Sequence, residues 1–243
     1  MALCAIVALA TAGAKAGTPV VVELYTSQGC SSCPPADALL AKLARRKDIV
    51  AMSLPVTYWD MLGWKDTLAG EANTRRQKSY ASAMGHGGVY TPQIVVDGVS
   101  DIVGSRTDDV EAAIERELRR PNDGINLGLR RELNDVRLTI DAVPRGHGRE
   151  EPDATIWLFQ LRASTTVKIG GGENAGRSLT YTNVVSDIRD LGHWDGAALS
   201  RVLPADNAKS SPHDAIAVVL QQHGYGRVIA AAYLGKNDYY VGQ

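Results

Sequence analysis

The sequence has few cysteines and no excess of charge of either sign. Its 243 residues include 26 lysines and arginines, 27 aspartates and glutamates, and three cysteines. We expect no nucleic-acid partner, because binding through counterion release requires clustered positive charge. The chain is 44% hydrophobic and 22% charged, which excludes a disordered protein and leaves enough apolar material for a real core.

Long hydrophobic runs are missing as well, so we expect no membrane-spanning segment. Residues 2–12 are apolar apart from Thr11, and they are followed by the small-x-small pattern Ala14-Lys15-Ala16. This arrangement predicts a signal peptide over residues 1–16, cleaved near Ala16, and a soluble mature protein that is periplasmic or secreted. No lysine or arginine precedes the apolar run, which leaves a buried N-terminal helix or strand as the alternative.

Cleavage of this segment removes Cys4 and leaves Cys30 and Cys33, which are separated by two serines. A disulfide between Cys30 and Cys33 closes too small a loop to constrain the chain much. The mature protein is therefore not a scaffold held together by disulfides. We expect the pair to be present for its chemistry.

Residues 17–121 alternate between segments typical of strands and of helices. We predict strands over 20–25 and 49–56, a helix over 36–46 that starts with Pro34-Pro35, an aromatic loop over 58–64, a helix around 74–84, a strand entered at Pro92, a short strand over 99–103 and a helix over 107–120. Pro121 closes this unit.

Residues 122–243 have a different pattern, in which strand-like segments are separated by Gly, Asn and Asp turns. The predicted strands cover residues 125–133, 136–143, 154–161, 215–222 and 228–234. They predict a small, mostly antiparallel β-sandwich. The expected organisation is therefore a signal peptide (1–16), a first domain (17–121) and a β-sandwich domain (122–243).

The Cys-x-x-Cys at a predicted helix start is the arrangement that a redox-active dithiol requires. Helix N–H groups and the helix dipole stabilise a thiolate on Cys30, which makes it the attacking group. Cys33 lies about one turn further on and resolves the mixed disulfide. Ser31 and Ser32 add no positive charge, so we expect only moderate thiolate stabilisation.

Two other roles are compatible with the cysteine pair. Half of a zinc site would need two further ligands, and the five histidines are scattered without metal-binding spacing, so we predict no metal. A structural disulfide without turnover is the more serious alternative and stays open.

The order of elements, with Thr91-Pro92 before the third strand, resembles the thioredoxin superfamily. The resemblance implies an α/β thioredoxin-like domain with a mixed central sheet flanked by helices. It also implies that Pro92 is cis and, with Thr91, binds the backbone of an extended substrate. An acid on the first strand, here Glu23, would move the proton of Cys33. The alternatives are an ordinary trans proline at Pro92 and a Glu23 that faces solvent or pairs with a lysine or arginine.

Trp59 and Asp60 follow the second predicted strand, at the end of the sheet where open α/β folds place their sites. We predict that they line a substrate groove beside Cys30. The alternative is that Trp59 and Trp64 cap the core.

Several longer motifs resemble one secreted bacterial family, the domain-of-unknown-function family 1223. They lie at residues 22–37, 58–60, 62–66, 76–77, 89–93 and 173–185. This resemblance covers nearly the whole mature chain and implies the fold and export, but no substrate.

Together these observations predict an exported thiol–disulfide oxidoreductase that acts on protein or small-molecule thiols and disulfides of the cell envelope, without a dissociable cofactor. Its oligomeric state is not indicated. The alternative is a non-catalytic envelope binding module with a structural or redox-sensing disulfide. A trans Pro92, or a Cys30 buried beneath the second domain, would count against catalysis.

Overall fold

The computed structural model describes residues 18–121, 123–132, 135–143, 152–203 and 214–235. The predicted signal peptide and its cleavage site lie outside these residues. Among the helices that are described, none is both long enough and apolar enough to cross a membrane.

The first half of the chain alternates strands and helices. Its elements are β1 (Val20–Thr26), α1 (Pro34–Leu43), β2 (Ile49–Pro55), a 3-10 helix (Thr57–Leu62), α2 (Glu71–Ala83), β3 (Gln93–Val96), β4 (Ser100–Val103) and α3 (Thr107–Leu118). The described part of the second half contains strands, which are β5 (Leu127–Glu132), β6 (Asp135–Ile140), β7 (Ala154–Lys168), β8 (Ser178–Trp194), β9 (Leu199–Leu203), β10 (Ala215–Gln222) and β11 (Val228–Gly235).

β1 and α1 form where the sequence predicts them, for simple physical reasons. β1 is a β-branched run that is buried on both faces, with Val22 packed towards α1 and Val21 towards the opposite side. α1 begins directly after Cys33, because Pro34 and Pro35 occupy the first turn, where a missing N–H has no helical partner to lose.

Eight strands form one large mixed sheet in the order β11-β10-β7-β8-β2-β1-β3-β4, while β5, β6 and β9 form a separate antiparallel sheet. The two halves of the chain join where β8 runs parallel to β2, with Ser53 opposite Val184. The side-chain amide of Asn183 donates a hydrogen bond of 2.9 Å to the carbonyl of Ala51 and so strengthens this join. The contact also covers an edge of β2 that would otherwise present unpaired N–H and C=O groups.

Both faces of the large sheet are covered. α2 packs on one face, over a core that extends from Val50 in β2 to Val219 in β10. α1 and α3 cover the first-half part of the other face, and the small sheet covers its second-half part through residues such as Leu138. The fold is mixed α/β, with a large mixed sheet and a small separate antiparallel sheet.

The five strands predicted after Pro121 correspond to β5, β6, β7, β10 and β11, whereas β8 and β9 were not predicted. β8 contains residues that usually mark turns, and two of them, Asn183 and Gly192, have positive φ angles of 47° and 108°. The strand therefore bends through these residues and continues. Four of the second-half strands extend the large sheet, and the division at residue 121 stays a prediction.

Candidate functional site

The predicted reactive cysteines lie between β1 and α1. Cys30 and Cys33 form a disulfide, with their Cα atoms 5.4 Å apart. The carbonyl of Cys33, the N-cap of α1, accepts hydrogen bonds from the N–H groups of Ala36 and Asp37 at 2.9 and 3.1 Å. Both cysteines are fully buried. The disulfide thus lies at the positive end of the helix dipole, the setting that stabilises a thiolate.

The turn before Cys30 is held by Gln28, which is fully buried. Its Oε1 accepts a hydrogen bond from Trp64 Nε1, and its backbone N–H donates to Asp66 Oδ2, both at 2.8 Å. The backbone N–H of Asp66 in turn donates to Asp60 Oδ1 at 3.0 Å. Asp60 is therefore part of a series of contacts that braces this turn, and its predicted contact with substrate stays a prediction.

Trp59 lies beside the same turn. A Cβ atom added to Gly29 would be 3.6 Å from Trp59 Cβ, so the two residues lie next to each other. Trp59 also packs against the core beneath α2, so its position is compatible with a groove wall beside Cys30 and with a cap on the core. Met61 and Leu62 of the same 3-10 helix are 85% and 57% exposed, so this helix presents apolar side chains to solvent.

Pro92 lies close to the first turn of α1, and its peptide bond with Thr91 is cis, as expected. A Cβ atom added to Gly104 would be 3.0 Å from Ala36 Cβ and 3.3 Å from Pro92 Cβ. The proline and the helix start therefore approach the same point. Binding of substrate by Thr91 and Pro92 stays a prediction.

Glu23, predicted as a proton carrier for Cys33, is engaged elsewhere. Its carboxylate accepts hydrogen bonds from Arg76 Nε and Nη2 at 2.6 and 2.9 Å and from the hydroxyls of Tyr80 and Tyr25 at 2.7 and 3.0 Å. Although burial alone lowers the pKa of Arg76, the charge of Glu23 raises it well above its usual value. Glu23 thus has the arginine partner that was the alternative prediction, and proton transfer by it stays untested.

Asp37 is an ionisable group near the disulfide that the sequence analysis did not single out. It follows Cys33 by four residues, so the two share one face of α1, and helical side chains lean towards the N-terminus. Burial raises the pKa of its carboxyl group to about 7, the hydroxyl of Thr26 opposes this rise, and the charge of Asp66 adds to it. The sequence signal for a buried Asp37 is its position on the same face of the helix as the apolar leucines.

The loop between β7 and β8, residues 169–177, contacts the turn that carries Cys30, and we call it the hairpin tip. The side-chain Nδ2 of Asn174 donates hydrogen bonds to the carbonyls of Cys30 (2.8 Å) and Gln28 (3.0 Å). The carboxylate of Glu173 accepts a hydrogen bond of 2.9 Å from the backbone N–H of Ser31. Hydrogen bonding from Ser31 lowers the pKa of Glu173, which is therefore ionised at neutral pH.

The structure thus brings together some of the predicted site residues. Cys30 and Cys33 lie with Trp59 and Pro92 around the start of α1, whereas the recorded partners of Glu23 are on other elements. Sequence reasoning missed the roles of Gln28, Asp37, Glu173 and Asn174. Among the residues that the structure describes, no three His, Cys, Asp or Glu side chains are grouped so that they could hold a metal ion.

Comparison with known proteins places this geometry in a family. The family model described as "Protein of unknown function (DUF1223)" matches residues 21–221. No curated protein matches the chain. An X-ray structure of a protein from Agrobacterium tumefaciens is 31% identical, with a TM-score of 0.77, and the match covers 95% of this chain and 100% of that one. HBP35 of Porphyromonas gingivalis is 12% identical, with a TM-score of 0.59 over 93% of this chain and 77% of that one, which is a likeness of fold alone.

Proposed function

We propose that this chain, which belongs to the DUF1223 family, is an exported thiol–disulfide oxidoreductase built on a thioredoxin-like α/β unit. The observation that carries the proposal is the Cys30–Cys33 disulfide at the first turn of α1. A bridge across two residues closes too small a loop to stabilise a fold much. A helix N-terminus, by contrast, is a setting in which cysteine becomes reactive.

The proposed reaction is thiol–disulfide exchange through a mixed disulfide. In the reducing direction the thiolate of Cys30 attacks a substrate disulfide, forms a bond to one substrate sulfur and releases the other as a thiolate. The thiolate of Cys33 then attacks the Cys30 sulfur and releases the second substrate thiolate. The substrate gains two electrons, the pair Cys30 and Cys33 loses two, and the reverse sequence oxidises a dithiol substrate.

Cys33 must lose a proton before it can resolve the mixed disulfide. Asp37 is better placed than Glu23 to receive it, because Asp37 lies one turn along the same helix face and has a pKa of about 7, while Glu23 is bonded to Arg76. Thr91 and Pro92, next to the start of α1, are proposed to bind the substrate backbone.

A second candidate function is a binding module whose disulfide is structural or senses redox state. The full burial of Cys30 favours it, because a substrate sulfur cannot reach a buried sulfur. Under the first proposal the residues that cover Cys30 must move before exchange begins.

Export and the domain division are part of the proposal. A disulfide persists in oxidising compartments, which supports a periplasmic or secreted protein with a signal peptide over residues 1–16. The proposed units are a thioredoxin-like unit (17–121) and a β-sandwich unit (122–243), although four strands of the second unit extend the sheet of the first.

The test is to trap the mixed disulfide. The Cys33→Ser variant, reduced and incubated with an oxidised envelope extract, is expected to retain substrates through Cys30, located by peptide mapping. The matched control is the Cys30→Ser, Cys33→Ser double variant, which has no sulfur at the site. Equal recovery from both variants would refute catalysis and leave the binding module.

A further inference from the structure

We propose that Glu173 and Asn174 of the hairpin tip are positioning residues for Cys30, which hold its backbone and disfavour its thiolate. This inference deepens the function proposed above and rests on it, since it treats Cys30 as the reacting group. The second half of the chain would then supply part of the thiol site, about 140 residues away along the sequence.

Asn174 is built into the site as a clamp on the Cys30 backbone. Its side chain is 1% exposed, and its amide nitrogen bridges the carbonyls of Cys30 and Gln28. Arg177 donates a hydrogen bond of 2.8 Å to Asn174 Oδ1, which fixes the orientation of the amide. Both ends of the amide are therefore bonded, and its loss would leave buried carbonyls without these donors.

The hairpin tip fits against this site because three glycines follow Ile169 at its start. A Cβ atom on Gly170 would be 2.8 Å from the ring of Trp64, and one on Gly171 would be 2.7 Å from the carbonyl oxygen of Gly63. Real Cβ atoms do not approach so closely, so side chains at these positions would push the tip away. Trp64 also donates to Gln28, so one residue supports both the tip and the turn before Cys30.

The negative charge of Glu173 disfavours the thiolate form of Cys30. Backbone N–H groups in the turn between Cys30 and α1 are donors that would stabilise a Cys30 thiolate. One of them, at Ser31, is already bonded to the carboxylate of Glu173 at 2.9 Å. A negative charge beside Cys30 opposes a second one, so Glu173 favours the thiol and the disulfide over the thiolate.

Other titratable groups near the turn also influence the acidity of Cys30. Asp37 approaches from α1, Asp66 from the segment before α2, Arg177 from the tip and Tyr181 from β8. The effect of Glu173 is therefore to be measured as a difference between variants rather than as an absolute acidity.

The first experiment measures the acidity of Cys30 by the thiolate absorbance near 240 nm as a function of pH. It uses the reduced full chain with Cys4→Ser and Cys33→Ser, so that Cys30 is the sole thiol. Glu173→Gln is expected to raise the thiolate-to-thiol ratio about three- to tenfold at a given pH, as removal of one nearby exposed charge does. The increase should shrink in 1 M salt, where the Debye length is about 3 Å.

Glu111→Gln is the matched control. It removes the same charge from a half-buried glutamate that contacts Arg46, beyond the opposite end of α1. An equal effect of the two variants, or none from Glu173→Gln, would overturn the charge role of Glu173. A shift confined to Glu173→Gln in a protein that traps no substrate would support the inference while refuting the oxidoreductase.

The second experiment measures how fast dithiothreitol reduces the disulfide under native conditions. Asn174→Ala is expected to speed reduction at least tenfold, because the clamp over Cys30 is lost. The control is Asn73→Ala, which removes a buried amide (2% exposed) that donates to the carbonyl of Pro55, away from the tip. Equal rates in the two variants would show that Asn174 acts on general stability alone and would refute the clamp.

Discussion

Replacement of Asp37 by asparagine should stabilise the oxidised protein in neutral and alkaline solution and leave its stability unchanged in acid. Asp37 is 9% exposed, and its carboxyl group has a pKa of about 7 in the fold against 3.8 in a model peptide. Below about pH 4 the carboxyl group is protonated in both the folded and the unfolded chain. Between pH 4 and 7 the unfolded chain ionises first, so the wild-type fold loses stability as the pH rises.

The size of this effect follows from the difference between the two pKa values. Each pKa unit corresponds to about 1.4 kcal/mol, so the difference of about three units is worth roughly 4 kcal/mol above pH 7. Asparagine has nearly the same shape and no charge to desolvate. The free energy of unfolding of Asp37→Asn should therefore exceed that of the wild type by up to about 4 kcal/mol at pH 8, and by about zero at pH 4.

The assay is denaturant unfolding of both oxidised proteins at several pH values, followed by tryptophan fluorescence. The difference between the two proteins isolates Asp37 from Asp97, whose pKa burial also raises to about 7. A difference that is constant between pH 4 and 8 would refute the burial argument, as would a wild type that is the more stable protein at pH 8.

Two further predictions concern the joins between elements. Glu23→Gln should lower the free energy of unfolding by about 3–5 kcal/mol, because it leaves the buried charge of Arg76 without its anion. An unchanged denaturation midpoint would contradict the buried ion pair. The melting temperature of Gly98→Ala should be well below that of Gly85→Ala. Both glycines have positive φ angles, so the backbone strain of the two variants is similar. Only the Cβ at position 98 would clash, because it would lie 2.3 Å from the carbonyl oxygen of Gly226. Similar melting temperatures for the two alanine variants would mean that the close approach is absent.

Local chemistry made the first half of the chain predictable. The β-branched run of β1, the paired prolines after Cys33 and the spacing of the cysteines each define a short segment. The disulfide and its position at the start of α1 therefore follow from about fifteen residues.

The rest of the site depends on contacts that are distant along the chain. Glu173 and Asn174 meet the Cys30 turn only because β7 and β8 extend the sheet beside β2. That placement depends on β8, which the sequence did not predict. Asn183 indicates a turn, because asparagine is common in turns, but here it lies within a bent strand. The proton-transfer role predicted for Glu23 was based on its place on β1 alone. Its arginine partner, Arg76, lies on a helix 53 residues later in the chain.

The central claim is that the Cys30–Cys33 pair exchanges with thiols and disulfides, and its reduction potential tests this most directly. The folded protein would be equilibrated in glutathione and dithiothreitol redox buffers, and the reduced fraction measured by thiol alkylation and mass spectrometry. We expect a midpoint above about −300 mV, within the range of exchange-active pairs. A pair that stays oxidised below about −300 mV, as structural disulfides do, would contradict it.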